Sequence, residues 1–281
     1  MINVKKELEK TARNSIRLNI GGEYSSGLTK FGGKPDVPGD FKWCYYECED
    51  NLDGGIKSRP LSFLAQFDLS EISEYDTEGL LPKTGLLSFF YEFETSCWGY
   101  DPKDKGCARV FYFEDTSELV PAEFPEDLDE DMRFPEFNIT ANCERSYQTY
   151  EDFLVQRDPR VNLWEEFESA QKRLGIEEPG ECSKLLGWAD VIQGNMTREC
   201  ELVSRGYYLG NGWDNVTPKD RQEAEQWANR DWLLLFQLDS VLDNGNFELL
   251  FGDGGRVYFY IRREELEKRI FDNVWLILQC C

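Results

Sequence analysis

Histidine is absent from the 281-residue sequence. That excludes His-based metal sites, Ser-His-Asp and Cys-His catalysis, and any imidazole pH switch. No apolar run approaches the ~20 residues that a membrane-spanning helix needs. The longest apolar stretches, residues 232–238 and 274–278, are strand-sized. Neither GxGxxG nor a P-loop occurs. The Gly-rich strings at 32–33 and 252–255 lack the helix that a phosphate cradle requires, so no cofactor is expected.

Basic residues are also scarce, with 31 Lys and Arg against 54 Asp and Glu and a net charge of −23. Without a Lys/Arg cluster, neither nucleic acid nor an anionic membrane is an expected partner. The acidity suits a basic protein partner instead, and a monomer is expected. The first fifteen residues have no apolar core, so they are not read as a signal peptide, and the expected compartment is the cytoplasm. Acidic runs at 47–53 and 123–131 read as solvated loops.

Nine cysteines are present: Cys44, Cys48, Cys97, Cys107, Cys143, Cys182, Cys200, Cys280 and Cys281. The number is odd and no CxxC occurs, so reduced thiols are expected. One close pair, Cys44 and Cys48, is too little for structural zinc, and no metal site is expected. The terminal Cys-Cys follows the strand-like VWLILQ, which favours core packing over a lipidation signal.

What is present in abundance is self-similarity. RVFYF at 109–113 is echoed by RVYFY at 256–260, and each has a Leu ten residues after its Arg, Leu119 and Leu266. Phe134 and Cys143 are nine apart, as are Phe271 and Cys280. Gln66-Phe67-Asp68 matches Gln237-Leu238-Asp239, each after an apolar run, and GKPDV at 33–37 matches GWADV at 187–191. The five elements keep one order. They predict a single compact domain over 1–281 made of two related halves, 1–145 and 146–281, about a pseudo-two-fold axis, with Arg109 on Arg256 and Gln66 on Gln237. Residues 79–106 then read as an insertion in the first half.

Strands are predicted at 61–68, 86–93, 109–113, 232–238, 256–261 and 274–280, which are aromatic and branched-rich and bounded by turn residues. Helices are predicted at 4–14, at 163–174 from the spacing of Leu163, Phe167, Ala170 and Leu174 with Gly175 as C-cap, at 218–230 behind a Thr217-Pro218 start, and at 262–270. No regular strand–helix alternation occurs. The fold class is therefore α+β, internally duplicated, with mainly antiparallel sheets and flanking helices.

The segments GGKPDVP (32–38), SFLAQFDL (62–69), LLPKTGLLSFFY (80–91), LLGWADVIQG (185–194), LLLFQLDS (233–240) and FGDGGRVYFYI (251–261) resemble the YwqG-like family of bacterial proteins over the whole chain. The resemblance implies a duplicated α+β fold and a bacterial, intracellular setting, and brings no catalytic residue. Ala189 stands where that family often has Pro.

Candidate site residues follow from the repeats. Gln66 and Gln237 are polar residues inside apolar strands. They either line a cleft between the halves or tie down neighbouring chain, and their presence in both halves favours the second role. Asp68, Asp239, Asp101, Asp104 and Asp253 are the nearby carboxylates, with Trp98 in the Gly/Asp loop of 98–106. These loops do not match an EF-hand and read as turns. Trp43, Tyr45, Tyr46, Trp98, Tyr100, Tyr207, Tyr208 and Trp213 lie in polar contexts where aromatics can line a groove. No nucleophile–base pair is legible, and no catalytic residue is assigned. The leading expectation is a non-catalytic binding protein, immunity-like or regulatory. The alternative is a hydrolase or small-ligand binder with its site between the halves.

Overall fold

The computed structural model describes residues 2–21, 28–49, 54–155, 157, 160–177, 180, 182–243 and 246–280. Sixteen strands appear among them: Arg13–Ile20 (β1), Lys30–Phe31 (β2), Asp36–Val37 (β3), Tyr45–Glu49 (β4), Ile56–Pro60 (β5), Ser62–Asp68 (β6), Leu86–Tyr91 (β7), Ala108–Phe113 (β8), Val120–Pro121 (β9), Phe137–Ser146 (β10), Ser183–Leu185 (β11), Trp232–Asp239 (β12), Val241–Asp243 (β13), Asn246–Leu249 (β14), Arg256–Arg262 (β15) and Trp275–Gln279 (β16). The helices are Val4–Thr11 (α1), Leu69–Ile72 (α2), Tyr150–Leu154 (α3), Trp164–Leu174 (α4), Met196–Ser204 (α5), Pro218–Trp227 (α6) and Arg263–Glu267 (α7).

Ten strands form one antiparallel sheet in the order β16-β15-β12-β11-β1-β10-β2-β6-β7-β8. This is an α+β fold. At its centre β1 and β10 pair over eight residues, from Arg13 opposite Ser146 to Ile20 opposite Ile139. From that pair two arms run outward, each taking its strands in chain order. The central strands are crossed over. Strand β1 pairs with β11 of the later arm, and β10 pairs with β2 of the earlier one.

The sheet curls until its arms meet. Phe236 lies 5.1 Å from Phe67 and 4.7 Å from Phe89, and Phe89 lies 5.2 Å from Phe259. Strands β6 and β12 are buried along nearly their whole length, which explains their continuous apolar sequences. The free ends also approach, almost closing a barrel. Leu278 N donates to Trp98 O at 3.1 Å, and Trp275 Nε1 donates to Gly99 O at 2.8 Å. Gly99 has φ +81°, and a Cβ there would lie 1.9 Å from Leu276 O, so the seam demands glycine.

Helices cover what the arms leave open. On α5, Met196, Cys200 and Val203 pack with Trp232, Leu234, Tyr258 and Tyr260 from the later arm. Val4, Leu8, Phe153, Phe167 and Ala170 join α1, α3 and α4 in a separate cluster. The caps are those the sequence signals. Thr217 Oγ1 accepts from Asp220 N at 3.1 Å ahead of Pro218, and Gly175 ends α4 at φ +67°.

Several expectations change. Helix α1 stops at Thr11 because residues 13–20 are the central strand. Arg109 does not take the place of Arg256. Its strand β8 is the outermost of its arm, whereas β15 lies one strand in from its edge. By position β7 answers to β15 and β8 to β16, so residues 79–106 contain a strand common to both arms rather than an insertion. The shared RV-aromatic string reflects strand composition, not register. Eight cysteines are free among the described residues, Cys280 is buried, and Cys281 lies outside them.

Candidate functional site

The two glutamines build the same unit in each arm. Gln66 Nε2 donates to Leu28 O and to Asp36 Oδ2, both at 2.7 Å, and its Oε1 accepts from Asp36 N at 2.9 Å. Lys30 Nζ lies 3.1 Å from the same Asp36 oxygen. Gln237 Nε2 donates to Cys182 O at 2.5 Å and Asp190 Oδ2 at 2.8 Å, and its Oε1 accepts from Asp190 N at 2.9 Å. Lys184 Nζ lies 2.6 Å from Asp190 Oδ2. A bulge precedes each glutamine, between Phe63 and Ala65 in β6 and between Leu234 and Phe236 in β12. Thr29 Oγ1 accepts from Asp68 N at 3.0 Å, as Ser183 Oγ does from Asp239 N at 3.1 Å.

Both glutamines are fully buried, and each has its amide engaged within its own arm. A buried amide left unpaired costs about 1–3 kcal/mol, so these contacts serve the fold. The flanking carboxylates do not converge either. Asp68 caps α2 by accepting from Ser70 N at 2.8 Å. Asp239 accepts from Cys182 N at 2.8 Å and pairs with Arg256 Nε at 2.8 Å. Asp253 is exposed on the turn before β15.

Trp98 and Asp101 do meet, in a cavity of about 540 Å³ lined also by Tyr46, Tyr100, Tyr208 and Glu49. Trp98 is 43 % exposed and Tyr208 44 %, whereas Tyr46 is 8 % exposed and forms part of the core. Asp101 caps a short helical turn, Pro102–Asp104, by accepting from Lys103 N at 2.9 Å. Asp104 accepts from Gly99 N at 2.9 Å and Asp101 N at 3.2 Å. Its burial raises its pKa despite those bonds. Four of the eight aromatics singled out in the sequence thus share one concavity with carboxylates. Tyr45 is exposed elsewhere, bonded to Asp127 at 2.9 Å, and Trp43 packs against the core.

A larger cavity of about 810 Å³ lies over the Gln237 unit. Its charged lining is balanced: Arg17, Arg145, Lys184 and Arg256 against Glu144, Glu151, Glu177 and Asp190. Tyr150 and Trp164 stand at its side. Sequence reasoning passed over this site. The one available signal was the six-residue Lys–Asp spacing, Lys30 to Asp36 and Lys184 to Asp190, beneath the GKPDV/GWADV match.

Burial acts to raise the Asp190 pKa, but the ammonium of Lys184 and the bonds from Cys182, Lys184 and Gln237 hold it below the ordinary value. The Cys182 thiol donates to Asp190 Oδ2 at 2.7 Å, and burial pushes its pKa up to about 12. A thiol so protonated is no nucleophile at neutral pH. Among the described residues, no group of three or more Cys, Asp or Glu is placed to hold a metal ion, and no helix is long and apolar enough to cross a membrane.

Residues 29–280 match the family model described as "Domain of unknown function (DUF1963)". No curated protein matches the chain. The chain belongs to the DUF1963 family, and the span of the match takes in both arms of the sheet, the whole lining of the smaller cavity and all of the larger cavity's lining except Arg17.

Proposed function

Within that family, we propose that this chain is a non-catalytic binding protein that captures a basic protein partner at the pocket of Trp98, Tyr208, Glu49 and Asp101. The observation that carries the reading is two large exposed aromatic rings set beside carboxylates in one concavity, on a chain of net charge −23. A Lys or Arg side chain gains about 0.5–2 kcal/mol over an aromatic face, and the carboxylates and overall field add attraction at a distance. An immunity-like or regulatory role, a cytoplasmic setting and a monomeric state belong to the same proposal, as does the YwqG-like resemblance. So does an origin by duplication, supported by the repeated Gln–Asp–Lys unit with its preceding bulge.

The test is isothermal titration with a deca-arginine peptide at low and physiological salt. Binding that weakens with salt, and weakens further in Trp98→Ala and Tyr208→Ala, is the expected result. Binding that ignores both substitutions overturns the reading.

A further inference from the structure

The larger cleft carries a separate inference, independent of the pocket at Trp98. We propose that it is a site for a neutral, hydroxyl-rich ligand, a mono- or disaccharide.

The two arms differ around the unit they share. Lys184 has Arg17 as its strand neighbour, whereas Lys30 has Asn138. Asp239 stands opposite Arg256, whereas Asp68 stands opposite Leu86. The earlier arm therefore builds its Gln–Asp–Lys unit without either guanidinium. The two arginines are surplus to that unit, and both line the cleft.

Arg17, Lys184 and Arg256 are all paired already. Each of these cations already has its own carboxylate: Arg17 Nε is 3.0 Å from Glu144, Lys184 Nζ 2.6 Å from Asp190, and Arg256 Nε 2.8 Å from Asp239. At these three cations an anionic ligand must displace a carboxylate, and it approaches a chain of charge −23. A cationic ligand at Glu144 or Asp190 must likewise displace a guanidinium or ammonium. A hydroxyl group donates and accepts at once, so it can bridge a guanidinium and its carboxylate without separating them. Rows of fixed, alternating donors and acceptors are what a polyol matches.

Trp164 and Tyr150 wall the cleft on one side. Trp164 is 46 % exposed, and its ring meets Tyr150 edge-on at a centroid distance of 4.9 Å, which fixes its attitude. Such a ring offers a flat apolar face to the C–H face of a pyranose, while its polar edge tolerates water. A volume of about 810 Å³ is ample for two sugar rings.

The experiment is thermal unfolding and saturation-transfer NMR of the whole chain with cellobiose, maltose and diacetylchitobiose, and with sodium citrate and spermidine as charged comparators. The expected result is that at least one disaccharide raises the unfolding temperature and receives saturation, while citrate and spermidine do not compete with it. Trp164→Ala should weaken that binding by about tenfold or more, as loss of an aromatic anchor does. Trp98→Ala should leave it unchanged, which separates this site from the other. Circular dichroism of Trp164→Ala checks folding, and Trp164→Phe, which keeps a ring, should retain part of the affinity. No response to any of the three sugars overturns the proposal. So does displacement of the sugar by citrate, or full binding by Trp164→Ala.

Discussion

Replacing Glu199 with Gln should stabilise this protein at pH 8 and scarcely at pH 5. Glu199 lies on α5 beside Tyr100, and its Oε2 is buried without a hydrogen-bond partner. Burial pushes its pKa from 4.5 up to about 7, although Arg198 pulls the other way. The folded chain therefore holds this proton through a range where the unfolded chain has lost it. Stability falls as pH rises from near 4.5 to near 7 and stays low above. At about 1.4 kcal/mol per pH unit, the full cost of ionising the buried carboxyl is about 3 kcal/mol. At pH 5 most of that cost has not yet appeared, so the advantage of Gln over Glu should grow by about 2–3 kcal/mol between pH 5 and pH 8. Asp152, raised by burial to about 6, tilts both proteins in the same direction and cancels in the comparison. Urea unfolding of both proteins at several pH values measures the difference. Parallel curves for the two proteins would refute the argument.

Three further outcomes are expected. Gln66→Ala and Gln237→Ala should each cost about 2–4 kcal/mol in urea unfolding, since each strands an aspartate carboxylate and its N–H, Asp36 buried and Asp190 half-buried; a loss under about half a kcal/mol in both would contradict the shared structural role. Gly99→Ala should lower the unfolding temperature markedly, because its Cβ has no room against Leu276 O and the backbone has φ +81°; a wild-type melting curve would show that the seam between the sheet ends yields easily. Cys182 and Cys44, both pushed to about 12 by burial, should resist iodoacetamide at pH 8 while the exposed Cys143 reacts, and peptide mapping that finds Cys182 alkylated in the native protein would count against its bond to Asp190.

The sequence shows the outer arms plainly and hides the centre. Strands β6, β7, β12, β15 and β16 are covered on both faces, so they appear as unbroken apolar runs. The central strands are not. RNSIRLNI and FNITANCERS mix buried and exposed positions, and a charged helix runs directly into the first of them. Their strand character comes from eight paired residues 119 to 133 positions apart, which no local window contains. The glutamines were recognisable as anomalies, and their partners Asp36 and Asp190 sat in a motif already matched. Trp98 and Asp101 were legible as neighbours because one loop holds both. Arg17, Trp164 and Arg256 come from three distant segments and share a cavity only after the arms have curled.

The crossing of the central strands sets a timetable for synthesis. Strand β1 leaves the ribosome long before anything it can pair with. Its first partner, β10, follows more than a hundred residues later, and β11 later still. At about 5–20 residues per second, that delay is roughly 6 to 25 seconds. Through this interval the residues of β1 have neither of their two ladders, and the earlier arm, from β2 to β8, lacks the strand that joins it to the rest. A nascent chain held in that state exposes an open sheet edge at β2, which is the hazard that chaperones meet during translation. Silent codon changes that slow translation between residues 21 and 137 should therefore lower the soluble yield more than the same changes placed after residue 185, with no residue altered.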